Sequence, residues 1–394
     1  MKTTSRLARL SAVLVILFVA PVQAGEMSFA HHTVDRWAGK ELSSWGQTAL
    51  ADMDRDGDLD YVLARNGGVI VVYEYQAPDK WVRHQVGDKS PSDVGGAVAD
   101  VDRDGRPDII LGGAWLQNPG ALDQPWPRHA FDPKLTGVHD LIVVEIDGDK
   151  GLEIATMADR NNIRWYDVPE NPTQPWTATA IGKPAHAGLE AGDLDGDGDN
   201  DIVRSTAWFE NQENGRRWVE HRLHASPWPD VPGSYHDSTL ATVADVNKDG
   251  RNDVVLTIAE VVNSQIAWFE PPADPKSGPW TMHVLPQSTE KRGPYHSLSI
   301  ADFDSDGDID IFSGEMEHIR GEGSPRWYIW ENVSGKGDFV ERVILDRNLG
   351  THECISGDID GDGDIDLIGK PWTASPKNAA GGEMHIDFLE NRLK

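Results

Sequence analysis

Short apolar runs recur along the chain, each bounded by turn-forming residues. Tyr61-Val62-Leu63, Ile109-Ile110-Leu111, Val254-Val255-Leu256 and Ile311-Phe312 are β-branched or aromatic and show no helical period, so they predict strands. A run of small and apolar residues precedes each, as in Thr48-Ala49-Leu50-Ala51 and Ser297-Leu298-Ser299-Ile300-Ala301. An aromatic run follows, as in Trp165-Tyr166-Asp167, Trp208-Phe209-Glu210-Asn211, Trp268-Phe269-Glu270 and Trp330-Glu331-Asn332. A fourth run reads aromatic-x-x-[His/Thr/Arg]-x-apolar and begins at Trp81, Trp126, Trp176, Trp218, Trp280 and Phe339. Four short strands per unit, separated by Gly, Pro, Asn and Asp, predict an all-β chain built of propeller blades. The small residues of the first strand suit the crowded position nearest the axis.

Between the first and second strands lies an acidic loop, D-x-D-x-D-G-x-x-D in its full form, which occurs seven times. Positions 1, 3, 5 and 9 of the first loop are Asp52, Asp54, Asp56 and Asp60, and those of the second Asp100, Asp102, Asp104 and Asp108. The third has Glu145, Asp147, Asp149 and Glu153, and the fourth Asp193, Asp195, Asp197 and Asp201. The fifth has Asp245, Asn247, Asp249 and Asp253, the sixth Asp302, Asp304, Asp306 and Asp310, and the seventh Asp358, Asp360, Asp362 and Asp366. Successive loops start 48, 45, 48, 52, 57 and 56 residues apart, a period that fits a seven-bladed β-propeller of four-stranded blades. Hard oxygen ligands at this density suit Ca²⁺, and the glycine at position 6 supplies the sharp turn around an ion. An EF-hand is excluded. Its Glu at position 12 is replaced by Leu63, Leu111, Thr156, Arg204, Leu256, Ser313 and Gly369, and no helical pattern flanks the loops. The third loop carries Lys150 in place of the glycine and is expected to bind poorly or not at all. The repetition marks the loops as structural sites.

The seventh repeat has its loop and third strand but ends before a fourth. Phe29-Ala30-His31-His32-Thr33-Val34 matches Trp81-Val82-Arg83-His84-Gln85-Val86 in register, so residues 27–35 are expected to complete the last blade and close the ring. Upstream, Lys2, Arg6 and Arg9 precede an apolar stretch from Leu10 to Ala20 and a small-residue site at Val22-Gln23-Ala24. Residues 1–24 therefore read as a signal peptide, and 25–394 as a single propeller, secreted or periplasmic and monomeric. No other apolar run is long enough to span a membrane. The net charge of −29, with no basic block, argues against nucleic acid as a partner. Of the 65 acidic residues, 27 occupy loop ligand positions, so bound cations would offset much of that charge. The single cysteine, Cys354, allows no intrachain disulfide and reads as a buried thiol.

Seven such loops, each between two short β runs, resemble the FG-GAP/VCBS repeat family, and its bacterial members more than integrin heads, because Phe-Gly-Gly-Ala-Pro does not occur. The resemblance spans about residues 27–394. It implies a β-propeller with Ca²⁺ between strands one and two of each blade. The family's functions range from adhesive and lectin-like modules to polysaccharide lyases and sugar dehydratases.

The first strand starts on the face opposite the acidic loops, so function is sought there. His139, His186, His236, His296 and His352 stand at that start in five blades. The strand 2–3 loops of the same face carry Arg65, Arg160, Arg204, Glu260, Glu315, Glu317, His318, Arg320, Lys370 and Trp372. Two functions compete. In one, the face acts on carbohydrate as a carbon–oxygen lyase: β-elimination needs a base, a cation at the enolate and an acid for the leaving oxygen. Histidine, Arg160 or Arg204 with Lys370, and Tyr235 or Tyr295 match those roles. Converging histidines also suit Zn²⁺ or another transition metal. In the other, the face binds a glycan or a protein without chemistry, through Trp45, Trp372 and polar groups. A third reading makes the ring histidines repeat-consensus residues satisfied by backbone at the channel mouth; His32, His84, His129, His221 and His283, which recur on the outer strands, are expected to be structural. Arg160, Arg204, Lys370 and the inserts 225–238 and 314–326 break the repeat, as a substrate site must.

Overall fold

The computed structural model describes residues 27–158, 161–225, 228, 238–262, 264–288, 292–317 and 324–393. The N-terminal segment 1–24, Arg160, Tyr235, His236, His318 and Arg320 lie outside the described residues. Among the described residues every regular element is a β-strand, and the strands form seven four-stranded sheets. Blade one runs outward from the axis as Trp45–Ala51, Asp60–Arg65, Ile70–Ala77 and Lys80–Gly87, each strand antiparallel to the last. The next five blades repeat this order. Second strands such as Asp253–Ile258 are buried throughout, which explains their continuous apolar runs. Outer strands such as Lys80–Gly87 mix exposed and buried positions. First strands of neighbouring blades touch at the axis, as Trp45–Ala51 touches those of blades two and seven. Small residues are required there: a Cβ on Gly46 would lie 2.1 Å from the Asp93 carbonyl oxygen of blade two.

The apolar core is divided into seven clusters, each shared by two neighbouring blades. Val62, Ile70 and Val72 of blade one pack on Ile109, Leu111 and Leu116 of blade two. Trp208 and Val203 of blade four pack on Val254, Phe269 and Trp280 of blade five. The recurring aromatics of the third strands therefore work between blades. No blade can bury its apolar face alone, so the ring is stable only as a ring.

The position-nine carboxylates join loop to blade. Asp201 accepts the Leu194 N–H at 3.0 Å and, with its other oxygen, the Asn211 N–H of the third strand at 2.8 Å. Asp60, Asp108, Asp310 and Asp366 make the same pair of bonds, to the second residue of their own loop and to the third strand. Where that strand residue is asparagine, its side chain then reaches the neighbouring blade. Asn211 Nδ2 donates to the Ile146 carbonyl, and Asn118, Asn332 and Asn391 make the equivalent bond. Blade five has Pro271 at this place. Proline has no N–H, and Asp253 Oδ1 is left without a partner.

The chain closes as its two ends predict. Phe29–Trp37 pairs antiparallel with Met384–Asn391, from Phe29 opposite Asn391 to Trp37 opposite Met384, with an irregularity between Thr33 and Asp35. His32 contacts Glu390 at 2.8 Å, as His84 contacts Glu74 (2.6 Å), His221 Glu210 (2.8 Å) and His283 Glu270 (2.9 Å). Four of the outer-strand histidines are thus cross-strand partners of third-strand carboxylates, while His129 contacts the Gln117 amide oxygen at 3.2 Å, contacts that suit a structural role. A buried relay locks the closure: Glu317 Oε1 and Asp387 Oδ2 each lie 2.5 Å from His385, and Asp387 Oδ1 lies 2.8 Å from His31. Arg347 caps His31 at 3.0 Å. Burial alone would lower the pKa of His385, but Asp387 and Glu317 outweigh it and push it up to about 9. Burial would raise Asp387, but His31 and His385 hold it down at about 2.

Three tests follow from this architecture. Deleting residues 27–36 exposes the edge of the last blade and should lower the unfolding temperature sharply; an unchanged melt would refute closure by this strand. Replacing Asn211 with Ala removes hydrogen bonds between blades and should cost about 1–3 kcal/mol in denaturant unfolding. The relay sets a pH window. The folded pKa of His385 exceeds its ordinary 6.5, so its contribution is complete below that value and lost as pH rises through about 9. Asp387, depressed from 3.8, contributes above that value and is lost as pH falls through about 2. The melting difference between the wild type and His385→Gln should therefore be largest between those two ordinary values and shrink towards pH 9; a difference constant from pH 6 to 9 contradicts the assignment.

Candidate functional site

The two faces of the disc differ in kind. On the loop face the same geometry repeats. Position four is left-handed in every loop, at Arg55, Arg103, Gly148, Gly196, Lys248, Ser305 and Gly361. Position six is left-handed where it is glycine, from Gly105 at φ 86° to Gly57 at φ 108°, but not at Lys150. In those six loops the position-six N–H donates to the position-one carboxylate, as Gly250 does to Asp245 at 2.8 Å. The third loop lacks this bond among the described residues.

Carboxylates converge in these loops. Asp52, Asp54 and Asp60 each present an oxygen within 4.8 Å of the others, as do Asp100, Asp102 and Asp108, and Asp193, Asp195 and Asp197. Glu145, Asp147 and Glu153 of the third loop converge too, so that loop departs from the rest in its turn and in two longer donors, not in their convergence. Ligand-position oxygens also serve the turn itself, at Asp197 of a converging group as well as at Asn247, Asp306 and Asp362. Asn247 Oδ1 accepts the Asp249 N–H at 3.0 Å, Asp306 Oδ1 the Asp308 N–H at 2.8 Å and Asp362 Oδ1 the Asp364 N–H at 3.0 Å. The cause is local: a short side chain with an oxygen readily bonds the amide two residues on. Several loops also hold a basic side chain. Arg106 contacts Asp104, Arg251 contacts Asp249, and Lys276 of blade five spans Asp195 and Glu210.

On the opposite face the chemistry does not repeat. Each first strand starts at the axis, so the residue at its start faces the channel mouth. His139 lies in Val138–Val143, His186 just before Leu189–Gly192, His296 just before Ser299–Ala301, and His352 opens His352–Gly357. The ring centroids of His139 and His186 are 4.6 Å apart, and those of His139 and His296 6.1 Å. His296 and His352 stack at 3.8 Å with an interplanar angle of 17°. A cavity of about 250 Å³ opens over them, lined by Asp93, Val94, His139, His186, Glu260, Met316, His352 and Trp372. The Trp372 ring lies 5.2 Å from that of His352.

Carboxylates frame the imidazoles. His296 is fully buried, with Glu260 Oε1 3.2 Å from Nε2 and Glu353 Oε1 3.2 Å from Nδ1. Burial would lower its pKa, but the two carboxylates outweigh it and raise it to about 9. His139 Nδ1 lies 3.1 Å from Asp140, which raises its pKa against the effect of burial. Beneath them Lys370 is buried, pairs across the blade with His352, donates to the Trp45 carbonyl at 2.6 Å and lies 3.5 Å from His352 Nδ1. Burial lowers its pKa to about 7.

His139, His186, His296, His352 and Lys370 thus come together. Arg204 and Tyr295 do not join them. Arg204 turns outward to Glu220 at 3.5 Å, and Tyr295 packs in the core on Tyr328 and Trp330. Trp45 is likewise a core residue, edge-on to Trp37. Glu315 and Glu317 serve their own loops and the closure relay. Cys354 is buried, and burial raises its pKa far above the ordinary thiol value. Sequence reasoning did not single out Asp93 and Glu190. The signal available was their place at or near the start of first strands, where small residues otherwise prevail. Burial raises Glu190 to about 7.

No curated protein matches the chain. Among the solved structures that share its fold are two of one complex. BBS1N in complex with ARL6DN, soaked with lead, is 11% identical with a TM-score of 0.55, covering 94% of this chain and 98% of that one. The same complex soaked with mercury is 11% identical with a TM-score of 0.53, covering 91% and 98%. That likeness is one of fold alone. The FG-GAP-like repeat family matches residues 52–111, 245–313 and 302–369, each span running from one acidic loop to the end of a second strand. With those repeats set in a closed ring of seven four-stranded blades, the chain belongs to the FG-GAP-like repeat β-propellers.

Proposed function

We propose that this is an exported propeller, stabilised by calcium in its loops, that takes carbohydrate at the axial cavity and cleaves a carbon–oxygen bond by β-elimination. One observation carries the reading: a polar cavity of about 250 Å³ ends on imidazoles from three blades, and its wall differs from blade to blade. Trp372 offers a face for a sugar ring. His186, partly exposed in the cavity, is positioned to take a proton next to a carbonyl or carboxylate. Arg160 and Tyr235, outside the described residues, stay the candidates for the enolate cation and the leaving-group acid.

Calcium in the loops rests on separate support. The donors are all oxygen, they converge, and the left-handed glycines turn position-six amides onto the position-one carboxylate. Asp52, Asp54, Asp56 and Asp60 would hold one ion, with the equivalents in the other loops except the third. Asn247, Asp306 and Asp362 are compatible with this, because an oxygen with two lone pairs can serve an amide and an ion together. Bound calcium neutralises carboxylates packed side by side and fastens each loop to its blade.

Two measurements test the proposal. Purified protein incubated with uronate polysaccharides and keto-sugars should generate the absorbance of a new C=C bond. The rate should fall by about 10²–10⁴ in His186→Ala and persist in Arg204→Ala, whose side chain faces away. Silence across the panel with retained glycan-array binding would sink the lyase and favour a binding module. For the loops, chelation should lower the unfolding temperature and added Ca²⁺ restore it, each saturated site contributing about 2.7 kcal/mol at a hundredfold excess over Kd. Asp302→Asn should remove one ion from the stoichiometry and Glu145→Gln none; equal loss in both contradicts the distinction drawn for the third loop.

A further inference from the structure

We infer that His296, His352 and Glu353 form a transition-metal centre of the Zn²⁺ class at the axial end of the channel, separate from the acidic loops. Each of the three presents a ligand atom within 4.8 Å of the others. His296 is fully buried, yet neither ring nitrogen makes a hydrogen bond; the oxygens of Glu260 and Glu353 lie 3.2 Å away without hydrogen-bond geometry. Glu353 Oε1 is likewise buried without a hydrogen-bond partner. A buried imidazole and a buried carboxylate oxygen, in ion-pair contact but without a hydrogen bond, are a donor pair that a cation can bridge.

The backbone agrees. Glu353 stands at φ 54°, a left-handed conformation that costs a non-glycine residue about 1–2 kcal/mol. It is held there by its N–H on the His296 carbonyl at 2.8 Å and by the Thr48 hydroxyl on its own carbonyl at 2.9 Å. The strained residue and the unsatisfied imidazole are therefore tied to each other through the main chain. The donor set selects the metal. Two imidazoles and a carboxylate suit Zn²⁺ and its borderline neighbours, whereas Ca²⁺ and Mg²⁺ prefer oxygen alone. His352 would bind through Nε2, because its Nδ1 faces Lys370. Glu260 stands ready as a fourth ligand, and His352 and Glu260 also line the cavity, so a bound metal would keep a side open to solvent or ligand.

The inference rests on reading this face as the working face, and there the ion would supply the positive charge that β-elimination needs at the developing enolate. Its test reads metal and not turnover, so either can fail alone. The full-length mature protein is stripped with chelator, returned to excess CaCl₂ to keep the loops saturated, and titrated with Zn²⁺ or Co²⁺. Metal analysis should find one transition-metal ion per chain that calcium does not displace, and Co²⁺ should give visible ligand-field absorption. Glu353→Gln keeps the packing volume and should weaken Zn²⁺ by about 10–100-fold or more while its melting temperature in calcium alone stays that of the wild type. His352→Ala should abolish the Co²⁺ spectrum, and His283→Ala, on an outer strand, should leave it unchanged. No retained transition metal in the wild type, or Zn²⁺ binding that both centre variants keep, overturns the centre.

Discussion

A buried carboxylate bonded to two backbone amides is the contact on which this ring depends. At Asp60, Asp108, Asp201, Asp310 and Asp366 one oxygen takes an amide of the acidic loop and the other an amide of the third strand. Three segments of a blade are thereby fixed in one register. An asparagine at the strand end then donates into the neighbouring blade, so local order becomes ring order. The arrangement is not free of cost. Desolvation pushes these carboxyls to about 7 or 8, as at Asp108 and Asp201, because a charge held away from water must be compensated by dipoles or by a cation. Two amides supply part of that compensation. The calcium proposed for the loops would supply the rest, and the position-nine residue belongs to both schemes.

The exceptions show what the brace requires. Blade three offers the longer Glu153, whose Oε1 has no partner, and blade five offers Pro271 where an N–H is needed. In both blades the inter-blade asparagine is also absent. Apolar packing compensates: each still contributes to two clusters shared with its neighbours. Closure by Phe29–Trp37 completes the ring by the same cross-strand rules, reinforced by a buried His–Asp relay found in no other blade among the described residues.

Repetition and divergence are separated by face. On the loop face every blade presents nearly the same acidic turn, which suits a structural role multiplied around a ring. On the axial face the equivalent places hold Trp45, Asp93, His139, His186, His296 and His352, and this divergence makes a single asymmetric site possible. First strands converge at the axis, so side chains distant in the chain meet there within a few ångströms. His296 and Glu353 are the clearest case: 57 residues apart in sequence, they are in ion-pair contact across two blades.

The sequence by itself determined the blade count, the strand order, the acidic loops and the closing strand, because these follow from local period, turn chemistry and pattern matching. The outer-strand histidines were legible for the same reason, since a cross-strand partner is set by register. Inside the loops the oxygens of the ligand pattern also bond the turn's own amides, at Asp56 and Asp197 as at Asn247, Asp306 and Asp362. Only the tertiary structure decided which residues of the axial face work together. Arg204 and Tyr295 stand beside the site in sequence but point elsewhere, one to Glu220 and the other into the core. Strand alternation and inter-blade packing set side-chain direction, and neither is encoded locally. The partners of His296 come from blades five and seven, so no window of sequence contains the group. The group is assembled only once the ring has closed.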